Sequence, residues 1–302
     1  MYDIRRVLVA LDLTEIDDAL IRYARVLSKA LSLDKIYFTT VVKKLDLPDE
    51  ITAQYPDLLA PVDESITERI RDRIDKIMGS EMSIPYDIDV LEGDITSQVL
   101  HWAKVKEIDL IAVGKKTGSA NKGINGDKIA RLSPCHVAFV PKRLPESISK
   151  VLVPIDFSDS SQMAVQLAVK ISAQNEGSTV QWIHVSHVPS GYHVSGKSYE
   201  EFAEIMKNTA MKLYKQFISS IENKGTEVKC EFVLGSHENI AEIVYSYAGK
   251  SDAAGIVIGS KGKTKCASML LGRTTEMFIP QNVGHQLIVA KPKNKILDIF
   301  DA

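Results

Sequence analysis

The chain has 302 residues, 45% hydrophobic and 25% charged, with 37 basic against 39 acidic side chains. No apolar run reaches the ~18 to 20 residues that span a bilayer, no secretory leader precedes the first strand-like segment, and the near-zero net charge is not that of a dedicated nucleic-acid binder. Three cysteines, Cys135, Cys230 and Cys266, without a CxxC pair exclude a disulfide framework and a structural zinc site, so a cytoplasmic protein is expected, with neither membrane nor nucleic acid among its partners.

In chain order, the first segment, Arg6-Val7-Leu8-Val9-Ala10-Leu11-Asp12, reads as a buried strand. Thr14 caps the helix that follows, whose apolar positions are Leu20, Tyr23, Leu27 and Leu31. Leu91-Glu92-Gly93-Asp94, Asp109-Leu110-Ile111-Ala112-Val113-Gly114 and Cys135-His136-Val137-Ala138-Phe139-Val140 follow as later strand ends and strands. The stretch 141–147 has two prolines and no apolar periodicity, and reads as a linker.

After the linker the pattern begins again. Lys150-Val151-Leu152-Val153-Pro154-Ile155-Asp156 repeats the first strand at an offset of 144 residues, Ala254 to Gly259 repeats 109–114, and Gly284 to Ala290 repeats 135–141. Within this half the expected elements are strand 151–155, a helix capped by Ser158, strand 180–185, helix 200–221, strand 228–233, helix 239–248, strand 256–258, helix 274–279 and strand 286–290. A period this long is a duplicated domain rather than a solenoid. Apolar runs alternating with amphipathic stretches give an α/β fold, two tandem doubly wound five-stranded parallel sheets of Rossmann-like type, over domains 1–145 and 146–302.

Ligands of such sheets settle at the carboxyl ends of the strands, where the strand order switches. There the second half has Gly259-Ser260-Lys261-Gly262 and, nine residues on, Gly272-Arg273-Thr274-Thr275 at a helix start. Bare glycine amides, a helix N-terminus and the cations Lys261, Lys263, Lys265 and Arg273 suit an anion such as phosphate. Asp156 faces them as an acceptor for a ribose or base. The Gly262-Lys263-Thr264 run lacks the upstream glycine of a P-loop, position 257 being Val, so a Walker-type NTPase is not indicated. His184 and His187 lie at odd spacing on a strand and point to opposite faces, which argues against a shared metal. Cys266 is an inert loop thiol or, beside Lys265, a redox-sensitive one.

These residues resemble the universal stress proteins in tandem form, over almost the whole chain, and most specifically in Gly-x2-Gly-x9-Gly at 259, 262 and 272. The resemblance implies an adenine nucleotide alpha hydrolase-like fold with strand order 3-2-1-4-5 in each half, and an ATP or related adenine nucleotide site in the second half, with or without Mg²⁺. It carries nucleotide contacts to Pro154, Ile155, Asp156, Val185, Ile258, Gly259, Lys261, Gly262, Gly272, Arg273, Thr274 and Thr275. The family's first phosphate-binding hydroxyl is replaced by Arg273; Thr274 and Thr275 stand in, the latter aligned with the second hydroxyl. The first half keeps Asp12, Val41 and Gly114, but Thr117 stands at the second glycine, and Ile124, Asn125 and Gly126 follow Gly123, so it reads as a degenerate copy. The resemblance also implies pairing of the two fifth strands, residues 137–140 and 286–290, within the chain, with a homodimer open, and an unidentified protein partner that distinguishes loaded from empty protein. A nucleotide-free interaction scaffold and a slow ATPase or phosphotransfer protein are the alternatives.

Overall fold

A computed structural model of the chain describes residues 3–42, 62–79, 84–115, 125–144, 148–173, 177–221, 228–235, 240–262, 270–282 and 284–293. The expectations for Thr117, Gly123, Lys263, Lys265 and Cys266 fall outside them. The chain forms two compact units, one of residues 2–143 with the residues from 293 on, the other of residues 144–292.

In the first unit the strands are β1 (Arg6–Leu11), β2 (Lys35–Val42), β3 (Tyr86–Glu92), β4 (Leu110–Gly114) and β5 (His136–Val140). The helices are α1 (Ile16–Ala30), α2 (Val62–Met78), α3 (Ile95–Val105) and α4 (Gly126–Leu132). All pairings are parallel: β1 lies between β2 and β4, β3 flanks β2 and β5 flanks β4, giving the order 3-2-1-4-5. Val7, Leu8, Val9 and Ala10 are fully buried, as a central parallel strand with both faces covered requires. Asp94 and Asn125 cap α3 and α4, accepting from the amides of Ser97 at 2.9 Å and Lys128 at 3.0 Å. Lys293 groups with this unit although the sequence assigns 293 to the second half; its Nζ donates to Glu107 O at 3.0 Å and pairs with the buried Asp109, whose Oδ2 accepts the amides of Arg5 and Arg6.

The second unit repeats the plan with β6 (Lys150–Pro154), β7 (Thr179–Ser186), β8 (Val228–Leu234), β9 (Gly255–Gly259) and β10 (Gln286–Ala290). Its helices are α5 (Asp159–Ser172), α6 (Tyr199–Ser219), α7 (Ile240–Lys250) and α8 (Arg273–Gln281). Here β6 lies between β7 and β9, with β8 and β10 outermost, again all parallel. Trp182, fully buried on β7, has edge-on ring contacts with Tyr214 and Phe217 of α6, at centroid distances of 5.9 and 5.8 Å. A capping box starts α6: Glu201 N donates to Ser198 Oγ and Ser198 N to the Glu201 carboxylate. The elements follow the sequence reading within a residue or two, except that α8 runs through Pro280 to Gln281 and a turn of 3₁₀ helix, Tyr192–Ser195, precedes α6.

Candidate functional site

The switch in strand order falls between β6 and β9 in the second unit. Because β7, β6 and β9 are parallel neighbours, Val185, the segment Pro154-Ile155-Asp156, and Ile258-Gly259 end side by side at one rim of the sheet. The expected site residues come together there, and the sequence of the β6–α5 turn explains how. Asp156 is followed by Phe157, which takes a left-handed backbone, φ 64°, and Leu13 does the same after Asp12, φ 60°. A bulky residue in that region is strained by ~1 to 3 kcal/mol, and the tight strand-to-helix turn imposes it in both units.

The Asp156 carboxylate is fixed on one side. Its Oδ1 accepts the Ser161 hydroxyl at 2.6 Å and the Ser158 amide at 3.1 Å, while the Asp156 amide donates to Ser161 Oγ at 3.0 Å. Its Oδ2 points the other way, toward the glycine loop, 3.0 Å from where a Cβ on Gly262 would stand. The Phe157 ring packs on His184 at 4.5 Å, and His184 Nδ1–H donates to Ile155 O at 2.8 Å. Ser161, Phe157 and His184 were not among the residues expected from sequence. Aligning the repeat position by position would have singled out Ser161, since it pairs with Asp17, whereas nothing in the sequence marks the other two.

The glycines of the loop are needed for close approach. A Cβ on Gly259 would fall 2.6 Å from the Ser160 carbonyl oxygen and 2.7 Å from its carbon, so β9 passes against the start of α5 with no room for a side chain. A Cβ on Gly272 would meet Lys261 Cα at 3.2 Å and Ser260 O at 3.3 Å, and the Gly272 amide donates to Ser260 O at 2.7 Å. The two ends of the loop are thereby clamped together. Gly272 also stands at the N-cap of α8 and provides no side-chain cap for its first turn. Arg273 is exposed; Lys261, Gly262 and Thr274 are partly exposed. Thr275 behaves differently from the phosphate contact that the sequence suggested. It is 2% exposed, and its hydroxyl donates to Gly259 O at 2.7 Å, bracing α8 against the end of β9.

The equivalent place in the first unit has the same skeleton and different chemistry. Gly114 again passes tightly, a Cβ there meeting Ile16 Cγ1 at 2.6 Å, and Asp12 again accepts a hydroxyl, that of Thr14, at 2.5 Å. Where the second unit has Ser161, the first has Asp17, 1% exposed, which accepts the Asp12 amide at 3.0 Å and Arg73 Nη1 at 3.1 Å. Burial pushes the Asp17 carboxyl up to about 6, the charge of Asp12 adding to the effect while the Asp12 amide and Arg73 oppose it. From α2, Arg73 also reaches Asp18 Oδ1 at 2.7 Å and Thr14 O at 2.9 Å. At the start of α4 the Asn125 side chain takes an amide that the glycine at 272 leaves without a side-chain acceptor in α8.

The universal stress protein family model matches twice, over residues 3–141 and 147–279. The chain belongs to the universal stress protein family. Universal stress protein MJ0531 of Methanocaldococcus jannaschii is 32% identical over 148 residues, 48% of this chain and 84% of that one. Universal stress protein MJ0577 of the same organism is 30% identical over 161 residues, 48% of this chain and 96% of that one. The crystal structure of a universal stress protein from Archaeoglobus fulgidus superposes with a TM-score of 0.68 at 19% identity, over 96% of this chain and all of that one, and shows the shared fold. Two family matches in one chain make this a tandem universal stress protein. Among the described residues no helix is long and apolar enough to cross a membrane.

Proposed function

We propose that the second unit of this universal stress protein binds ATP or a related adenine nucleotide and acts in the stress response as a nucleotide-dependent regulatory or interaction module. One observation carries the reading. Asp156 Oδ2, the Gly262 backbone and the glycine-started helix α8 converge on the rim of the sheet where β6 and β9 end, beside two exposed or half-exposed cations. The carboxylate suits ribose hydroxyls, and the first-turn amides of α8 with Lys261 and Arg273 suit phosphate. The backbone ends at Ile155, Val185 and Ile258 are within the same rim for contact with the base. In the first unit the Asn125 side chain takes up a first-turn amide that stays uncapped in α8, and the buried Asp17, paired with Arg73, stands where the second unit has Ser161; both differences support a single working site.

The test is calorimetric titration of the full chain with ATP, accompanied by thermal unfolding. Saturable heat at about one nucleotide per chain is expected, together with a stabilisation of ~2.7 kcal/mol at a hundredfold excess over Kd. Absence of heat at millimolar ATP with an unchanged Tm would leave the nucleotide-free scaffold as the reading.

A further inference from the structure

We propose that α6 of the second unit is the docking surface for a second copy of this chain, the two helices lying antiparallel about a twofold axis at Asn208. The surface is separate from the nucleotide site and does not depend on it. Little of α6 is covered by its own unit. The ring contacts and hydrogen bonds that tie it down come from its far end: Tyr214 and Phe217 on Trp182, Tyr214 on Phe232, Phe217 on Phe157, and Ser220 O accepting from Gln162 Nε2 at 3.0 Å. Ala210 and Phe217 are the buried residues of the helix, so nothing in 199–209, ~16 Å of its length, is buried. Six large apolar side chains are exposed among the described residues, and four of them, Val194, Tyr199, Ile205 and Met211, lie in this one stretch. Single exposed apolar residues need no explanation, but a concentration of them marks an interaction surface.

The order of residues on the outward face identifies the occupant. Asn208 is nine residues, two and a half turns, from the buried Phe217 and therefore on the opposite side of the helix. Around it, residues 201, 204, 205, 208, 211, 212 and 215 follow the three-and-four spacing of a single helix face, and all seven are exposed. That face is complementary to its own reverse. A twofold axis at Asn208 pairs positions equally far on either side of it: Glu201 with Lys215, seven residues away, Glu204 with Lys212, four away, and Ile205 with Met211, three away. Each pair occurs twice, and Asn208 meets its own copy, as an isologous contact requires. A parallel copy in register would instead set Glu on Glu and Lys on Lys. Antiparallel helices also bring opposite dipole ends together. One oxygen of the Glu201 carboxylate accepts the Ser198 amide at 2.8 Å, and one of Glu204 accepts Asn208 Nδ2 at 3.2 Å, which leaves each an oxygen for a partner's ammonium. None of the four charges has an ion pair with a described residue. The stretch from 201 to 215 is ~21 Å of helix, so the contact is small and the dimer reversible.

Sedimentation of the full chain over a range of micromolar concentrations reads the association, and thermal unfolding checks that each variant is folded. The natural chain is expected to pass reversibly from monomer to dimer, and to need a higher concentration at high salt. Glu204→Lys and Lys212→Glu each turn two attractions into two repulsions and should weaken the dimer about thirtyfold, equivalent to ~2 kcal/mol. Ile205→Ser, which removes the apolar contact with Met211, should weaken it as well. Mixing the Glu204→Lys chain with the Lys212→Glu chain should restore association, because each presents to the other the charge that its own copy lacks. The double variant, Glu204→Lys with Lys212→Glu, should dimerise as the natural chain does, since both pairs are inverted intact; a folding defect would show neither recovery. A monomer at every concentration overturns the proposal. So does a dimer that survives both single variants, which puts the contact elsewhere on the chain, or a loss in the single variants that neither mixing nor the double variant repairs.

Discussion

Replacing Gly259 with alanine tests the close passage that builds the site. The added Cβ would lie 2.6, 2.7 and 2.8 Å from the carbonyl oxygen, carbonyl carbon and Cβ of Ser160, and ordinary contact begins at 3.4 Å, so the two segments must part by about 0.8 Å (3.4 minus 2.6). Two of the three obstructing atoms are backbone, and the helix behind them is packed on β6 and β9, so no side-chain rotation relieves the clash. Forcing a methyl into such a contact costs roughly 1 to 3 kcal/mol, which for a domain of this size lowers Tm by roughly 3 to 10 °C. The displacement reaches the site as well, because Ser158 and Ser161 at the start of α5 hold Asp156 Oδ1. Calorimetric melting of the second unit's transition, with ATP titration of the same variant, reads both effects. The control is Gly249→Ala in exposed α7, where a Cβ meets nothing within 4 Å and a helix-interior alanine adds up to ~1 kcal/mol. An unshifted melting point in Gly259→Ala, or a rise like that of the control, would refute the close-packing of Gly259 on Ser160.

Three further outcomes follow from the comparison of the units. Asp17 has a folded-state carboxyl raised from 3.8 to about 6, so its protonated form favours folding below pH 4, and that contribution is lost as pH rises through 6. The whole effect is at most ~3 kcal/mol; Asp17→Asn should flatten the stability profile between pH 4 and 6, and an unchanged slope in chemical denaturation would contradict the assignment. Gly262→Val should abolish nucleotide binding, since its Cβ already meets Asp156 Oδ2 at 3.0 Å, while Thr117→Gly should give the first unit none; calorimetry on the two variants checks both.

The duplicated architecture was legible because parallel strands covered on both faces must be apolar throughout, as in Val7 to Leu11 and Val151 to Ile155; the caps were legible in part, since Ser158 caps α5 as expected, whereas α1 starts from Glu15 with no side-chain cap and the Thr14 hydroxyl is turned to Asp12 Oδ1. The rim of the site was legible for the same reason: glycines at strand ends mark close backbone approach. Side-chain direction was not. Thr275 sits where a hydroxyl could face either the ligand or β9, and only the seating of α8 on Gly259 O decides it. The left-handed turns at Leu13 and Phe157 are imposed by the strand-to-helix connection against the preference of those residues, so no local signal announces them. Helix α2 did carry a signal, Ile66, Ile70, Ile74 and Met78 at four-residue spacing, all buried, within an otherwise charged segment. Reading it would have placed Arg73 on that helix, though only the tertiary fold shows it gripping Asp17 and Asp18.

Hydrogen exchange of the full chain with and without saturating ATP decides whether the second unit alone holds the nucleotide, because it reads both units in one sample. Slowed exchange is expected in peptides covering 154–161, 258–262 and 271–276, with unchanged exchange in their first-unit equivalents, 10–17 and 113–115. Protection confined to the first unit, or none in either unit at a nucleotide concentration that gives saturating heat, would contradict it.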